Sequence, residues 1–139
     1  MRKEFLIAAG FLLGILLVYM TLHSTPLSAS PYDTHKVHTL SGMDEVQKLI
    51  ASGKKVYILY HASWCGHCKT LKPMFESVND DFDDAVLAHC ECAKHHDVPQ
   101  KMGIEAFPCI RKYENGKQQA EMMGSRKDVN AVRQAMKEL

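Results

Sequence analysis

The sequence has almost no excess of charge of either sign: 17 basic and 16 acidic residues leave a net +1 over 139 residues. The basic residues are scattered rather than striped, so neither nucleic acid nor an acidic partner surface is indicated. No Asn-x-Ser/Thr acceptor occurs, and a luminal address therefore gains no support from glycosylation. A second Cys-x-x-Cys is missing, which removes the ligand set of a zinc ribbon. Internal repeats and low-complexity tracts are also absent, and the length suits one domain plus an accessory segment. Five cysteines are present, at 65, 68, 90, 92 and 109. Their odd number leaves at least one unpaired in a monomer, and their crowding does not resemble a disulfide-stapled miniprotein.

What is present begins with an uncharged run, Phe5 to Leu22, close to the ~20 residues of a membrane-spanning helix. No polar face interrupts it, which argues against a helix buried in a core. Two readings compete: an uncleaved signal-anchor, which the length of the run favours, and a cleaved signal peptide followed by secretion. The anchor reading gives a cytoplasmic N-terminus over 1–4, a span over 5–22, a Ser/Thr/Pro-rich tether over 23–31 and a folded domain over 32–139. Arg2 and Lys3 precede the run and no comparable cluster follows it. The positive-inside rule then puts the domain on the lumenal or extracytoplasmic side, where disulfides are tolerated.

In the domain, Val37 to Leu40 predicts a short strand. Ser41 is a candidate cap for a helix carrying Val46, Leu49 and Ile50 as far as Ser52-Gly53. Val56 to Tyr60 is a continuous apolar run, as in a strand buried on both faces. After the loop His61-Ala62-Ser63-Trp64, Cys65 opens a helix to about Val78, with Leu71, Met74, Phe75 and Val78 as its inner stripe and Pro73 expected to kink it. Ala85 to Cys92 predicts a strand, Val98 to Met102 a short helix and Cys109 to Tyr113 a further strand. Asn115-Gly116 signals a hairpin to Gln118–Met123. Ser125 is a candidate cap for a last helix with Val129, Val132, Ala135, Met136 and Leu139 on its inner face. The order predicts an α/β fold, a mixed sheet with helices on both faces.

Disulfide exchange needs a thiolate, an accessible sulfur and a second thiol to resolve the mixed disulfide. Cys65, at a helix N-terminus, meets the first need, because the dipole and unpaired N–H groups there stabilise a negative sulfur. Cys68 lies one turn on, within disulfide reach, so Cys65 is the expected nucleophile and Cys68 the resolving thiol. A partly protonated His67 between them favours the thiolate and makes the disulfide more oxidising. Trp64, Gly66 and His67 are accordingly taken as modulators of the pair.

Trp64-Cys65-Gly66-His67-Cys68-Lys69 with Pro73, then Gly103-Ile104-Glu105-Ala106-Phe107-Pro108, then Tyr113-Glu114-Asn115-Gly116-Lys117, resemble the thioredoxin superfamily. More narrowly they resemble a catalytic domain of protein disulfide isomerase, over about Tyr32 to Leu139. The resemblance implies a thioredoxin fold without cofactor, acting on protein substrates through transient mixed disulfides. It also implies a cis Phe107-Pro108 bond beside the pair, with the Phe107 backbone available to a substrate strand, and an Arg126 that lowers the pKa of the second cysteine. The chain departs from the family at Leu59, where a buried acid usually exchanges the proton of the second cysteine. His61 or His89 are the nearby groups that could substitute. Cys109 stands in place of the usual threonine, and Ser63 in place of a common proline.

The activity expected is thus disulfide oxidation or isomerisation, with a thioredoxin-like reductase or a non-catalytic binding module as alternatives. Cys90 and Cys92 alternate on a strand and are expected to pack together as small hydrophobes rather than to bind metal with His89, His95 and His96. Cys109 is read the same way.

Overall fold

Val56–His61 lacks any polar interruption up to its last residue, and it runs through the centre of the sheet, where both faces are covered. The computed structural model describes residues 10–19 and 31–139, and the chain divides into two units, Met1–Ser30 and Pro31–Leu139. In the first unit, residues 10–19 are helical and carry exposed apolar side chains, among them Phe11, Leu13 and Leu17. The expected span over 5–22 extends beyond these residues at both ends, and the N-terminal segment 1–4 and the tether 23–30 lie outside the described residues. Among the described residues no helix is long and apolar enough to cross a membrane, so the expected anchor gains no support from them.

The second unit runs β1 (His38–Leu40), α1 (Met43–Ala51), β2 (Val56–His61), α2 (Gly66–Ser77), a 3-10 turn (Asn79–Asp81), β3 (Val86–Glu91), α3 (Asp97–Met102), β4 (Cys109–Glu114), β5 (Lys117–Met123) and α4 (Val129–Glu138). The five strands lie in the order β1-β3-β2-β4-β5. β3 is parallel to both β1 and β2, whereas β4 runs antiparallel to β2 and to β5. This is the mixed sheet that the element order predicts.

Side chains alternate across each strand, and the two faces separate cleanly. Val56, Ile58 and Tyr60 pack with Val46 and Leu49 of α1 and Val98 of α3. Tyr57 and Leu59 pack with Leu71 and Phe75 of α2 and Val132 and Met136 of α4. Burying a side chain of this size fully stabilises the fold by about 1.5–3 kcal/mol. The hairpin forms as expected, with φ of 54° at Asn115 and 77° at Gly116, the positive values that a two-residue turn of this kind requires.

Both expected helix caps are corrected. α1 starts from Gly42, at φ 124°, a value that favours glycine. Ser41 contributes its backbone N–H, which donates to the Glu45 carboxylate at 2.7 Å, rather than its hydroxyl. α4 begins later than Ser125 implies: Asp128 is the cap, its carboxylate accepting from the Ala131 N–H at 2.8 Å. A carboxylate at a helix start also complements the dipole, which a serine hydroxyl does not. Pro73 lies inside α2, where its missing N–H withholds one rung of the helical ladder.

Candidate redox-active site

The loop from the C-terminal end of the central strand β2 to α2 delivers the two thiols. The Cys65 N–H donates to the Ala62 carbonyl at 3.1 Å, closing a tight turn. Cys65 is the N-cap of α2, with extended backbone (φ −87°, ψ 117°), and its carbonyl accepts from the Lys69 N–H at 3.2 Å. The amides of the first turn therefore face the Cys65 end, where negative charge is stabilised. Cys68 is inside that first turn and nearly sealed, with 2 % exposure against 8 % for Cys65. Both are free thiols. Burial, and then hydrogen bonding to Cys65, push the Cys68 thiol up to about 12, opposed by a backbone hydrogen bond from Ala62.

The Phe107-Pro108 bond is cis, as the resemblance implies. The Cys65 thiol lies 3.8 Å from the Phe107 carbonyl oxygen, to which it donates. Trp64 is 71 % exposed and meets the Phe107 ring edge-on at 6.0 Å between centroids. Ala62, Cys65 and Cys68 form a small cluster of their own with Phe107 and Ala93 against it. Gly66 and His67 are exposed on the first turn of α2. Arg126 is not gathered into this site: its guanidinium donates to the carbonyls of Met123 (3.3 Å) and Ser125 (3.1 Å) in its own turn. The expected influence of Arg126 on Cys68 therefore has no contact behind it in this conformation.

The other thiols are interior. Cys90, Cys92 and Cys109 all belong to the cluster beneath α1. Cys109 donates to Glu121 at 3.5 Å, and burial pushes its thiol up to about 12.

A polar chain that no sequence motif announces lies beside Cys68. Tyr57, Leu59 and His61 alternate onto the face that α2 covers, and so do Leu87, His89 and Glu91 of β3. The parallel register sets Leu59 opposite His89 and His61 opposite Glu91. His61 Nδ1 is 3.3 Å from the Glu91 carboxylate. His61 Nε2 is 3.0 Å from His89 Nδ1, and His89 Nε2 is 3.1 Å from Thr39 Oγ1. The other Glu91 oxygen accepts from the Ser63 N–H (2.9 Å) and the Ala93 N–H (3.1 Å). Burial holds His61 below its ordinary range, and burial with the nearby Lys72 charge pushes His89 down to about 4. Two neutral imidazoles satisfy the chain if Thr39 donates to His89, His89 to His61 and His61 to Glu91. An open pocket of about 260 Å³ adjoins it, lined by His61, Ala62, Ser63, Cys68, Lys69, Lys72 and Glu91.

Comparison with known proteins agrees with this geometry. The thioredoxin family profile matches residues 36–138. Thioredoxin of Gallus gallus is 34% identical over 82 residues, covering 58% of this chain and 78% of that protein. Protein disulfide-isomerase A5 of Mus musculus is 33% identical over 82 residues, covering 55% of this chain but 16% of that protein. The chain likewise spans only 20% and 22% of the length of disulfide-isomerase relatives from Schizosaccharomyces pombe and Medicago sativa. Among solved structures, thioredoxin of Schistosoma mansoni superposes with a TM-score of 0.67 at 24% identity, over 77% of this chain and 98% of that one.

Proposed function

This chain belongs to the thioredoxin family, and on that footing we propose that it is a protein thiol–disulfide oxidoreductase in which Cys65 attacks and Cys68 resolves. The observation that carries the reading is the asymmetry of the two thiols. Cys65 stands at the helix N-terminus, 3.8 Å from the Phe107 carbonyl, whereas Cys68 is sealed behind it and held protonated by burial. A substrate disulfide meets Cys65 first. The Cys68 sulfur then attacks the Cys65 sulfur in the mixed disulfide, releases the substrate thiol and leaves a Cys65–Cys68 disulfide. Phe107 and Pro108 form the wall against which an extended substrate segment lies, with Trp64 as its exposed apolar flank. The exposed His67 and the neighbouring Gly66 modulate the pair.

The finer reading is an oxidase or isomerase of the disulfide-isomerase type. His67 between the cysteines supports it, since imidazolium beside a thiolate favours the reduced pair and makes the disulfide a stronger oxidant. A second reading, a thioredoxin-like reductase, is supported by the extent of the match, which takes in 78% of the Gallus gallus thioredoxin. The reduction potential separates the two: about −180 mV fits an isomerase and about −270 mV a thioredoxin. Loss of insulin-reducing and thiol-oxidising activity in Cys65→Ser tests the shared claim.

The proposal extends to location. The uncharged run from Phe5 to Leu22, behind Arg2 and Lys3, supports a single-pass anchor with a cytoplasmic N-terminus and an extracytoplasmic domain. Alkaline extraction of membranes and protease protection in sealed vesicles test it; release of the chain by carbonate would remove the anchor.

A further inference from the structure

Resolution of a mixed disulfide requires Cys68 to lose its proton as its sulfur attacks, and the acid that the family keeps six residues before the first cysteine is here Leu59, fully buried among apolar side chains. We infer that Glu91, positioned by His61, is the proton acceptor for Cys68, placed one alternation further along the same face of the sheet. The inference rests on the oxidoreductase reading above.

Three observations carry it. Glu91 is the only carboxylate among the residues lining the pocket that Cys68 also lines, so one open space borders both the thiol and the Glu91–His61 pair. One carboxylate oxygen is held by the Ser63 and Ala93 amides, and the other lies 3.3 Å from His61 Nδ1. The loop that carries the Ser63 amide also carries Cys65, so the acceptor and the reacting sulfurs are held by one segment. His61 in turn is backed by His89 at 3.0 Å, and His89 by Thr39 at 3.1 Å and by Glu76 at 3.9 Å. This backing gives the imidazoles a way to exchange tautomers when Glu91 takes up a proton. The other charges facing the pair come from α2: Lys69 and Lys72 on the pocket wall, with Glu76 ion-paired to Lys72.

The Cys65 thiolate has already opened the substrate disulfide and released its first half as a thiolate. The Cys68 S–H bond breaks, its proton passes through pocket water to Glu91, and the Cys68 sulfur forms a bond to Cys65 Sγ. The bond from Cys65 to the substrate breaks with its electron pair, and the departing thiolate recovers the proton from Glu91. The substrate disulfide is reduced by two electrons and the cysteine pair is oxidised. Glu91 accepts the proton, whereas His61, His89 and Thr39 are positioning residues.

The test is rapid mixing of the reduced full-length protein with glutathione disulfide, acid quench and mass spectrometry of the Cys65–glutathione adduct from pH 5 to 9. In Glu91→Gln the adduct is expected to form at the wild-type rate and to decay about a hundredfold more slowly, the lower end of the range for loss of a general base. Its decay should also become proportional to hydroxide. Glu91→Asp, which keeps the carboxylate, should recover the wild-type pH profile; an effect of Glu91→Gln through structure alone would appear in adduct formation as well. Equal decay rates and equal pH profiles in wild type and Glu91→Gln would overturn the inference. No adduct on Cys65 in the wild type would instead remove the oxidoreductase reading, and this inference with it.

Discussion

The Cys65 thiol and the Phe107 carbonyl oxygen face each other at 3.8 Å across the mouth of the site. This cysteine is the most exposed of the five. Cys65 is 8 % exposed, and Cys68, Cys90, Cys92 and Cys109 are between 0 and 2 %. Both Cys68 and Cys109 are also pushed up to about 12 by burial. Alkylation of the reduced protein with iodoacetamide at pH 8 should therefore modify Cys65 first, by a factor of about ten or more over each of the others. Peptide mass spectrometry over a time course reads this. Parallel labelling of Cys109 or Cys92 would contradict the burial pattern.

A second prediction concerns acid. His89 is pushed down to about 4 in the folded chain, against about 6.5 for an unfolded histidine, and burial lowers His61 in the same sense. Below about pH 6.5 the unfolded chain binds protons that the folded chain refuses, so stability is intact above that pH and falls toward pH 4. The slope is up to about 1.4 kcal/mol per pH unit for each histidine involved. The groups facing them are Glu91, Glu76, Lys72 and Thr39. Urea midpoints at pH 7 and pH 5 should differ in the wild type and differ less in His89→Gln.

Arg111 supplies a third. It is 7 % exposed on β4 and donates to the Glu121 carboxylate and to the carbonyls of Met102 and Gly103, the latter at 3.0 Å. It thus ties the end of α3 to the hairpin. Arg111→Ala leaves those acceptors without their donor and should cost about 3 kcal/mol by urea denaturation. Arg111→Lys, with a point charge in place of the fork, should recover only part of it.

Much of this was legible in the chain. Continuous apolar runs, helical spacing and the Asn115-Gly116 turn located the strands and α-helices of the domain, because Val56 to Tyr60 and the Leu71–Phe75 stripe must be buried to fold at all. The cysteine pair was legible because Cys-x-x-Cys is local. Two helix starts were not: serine at 41 and 125 has the right propensity, yet Gly42 and Asp128 are the caps, since backbone geometry and a stronger acceptor decide. The His61–His89–Glu91 chain was least legible. The residues on β2 and β3 are some thirty positions apart, and only the parallel register brings them together. Arg126 shows the converse: a local motif pointed it at Cys68, but its nearest acceptors are carbonyls of its own turn.

The central claim is that Cys65 attacks and Cys68 resolves, and trapping tests it most directly. Cys68→Ala, expressed in cells and acid-quenched, should accumulate proteins disulfide-linked to Cys65, released by reductant and absent from Cys65→Ala. Equal trapping by both variants, or none by Cys68→Ala while the protein remains folded, would contradict it.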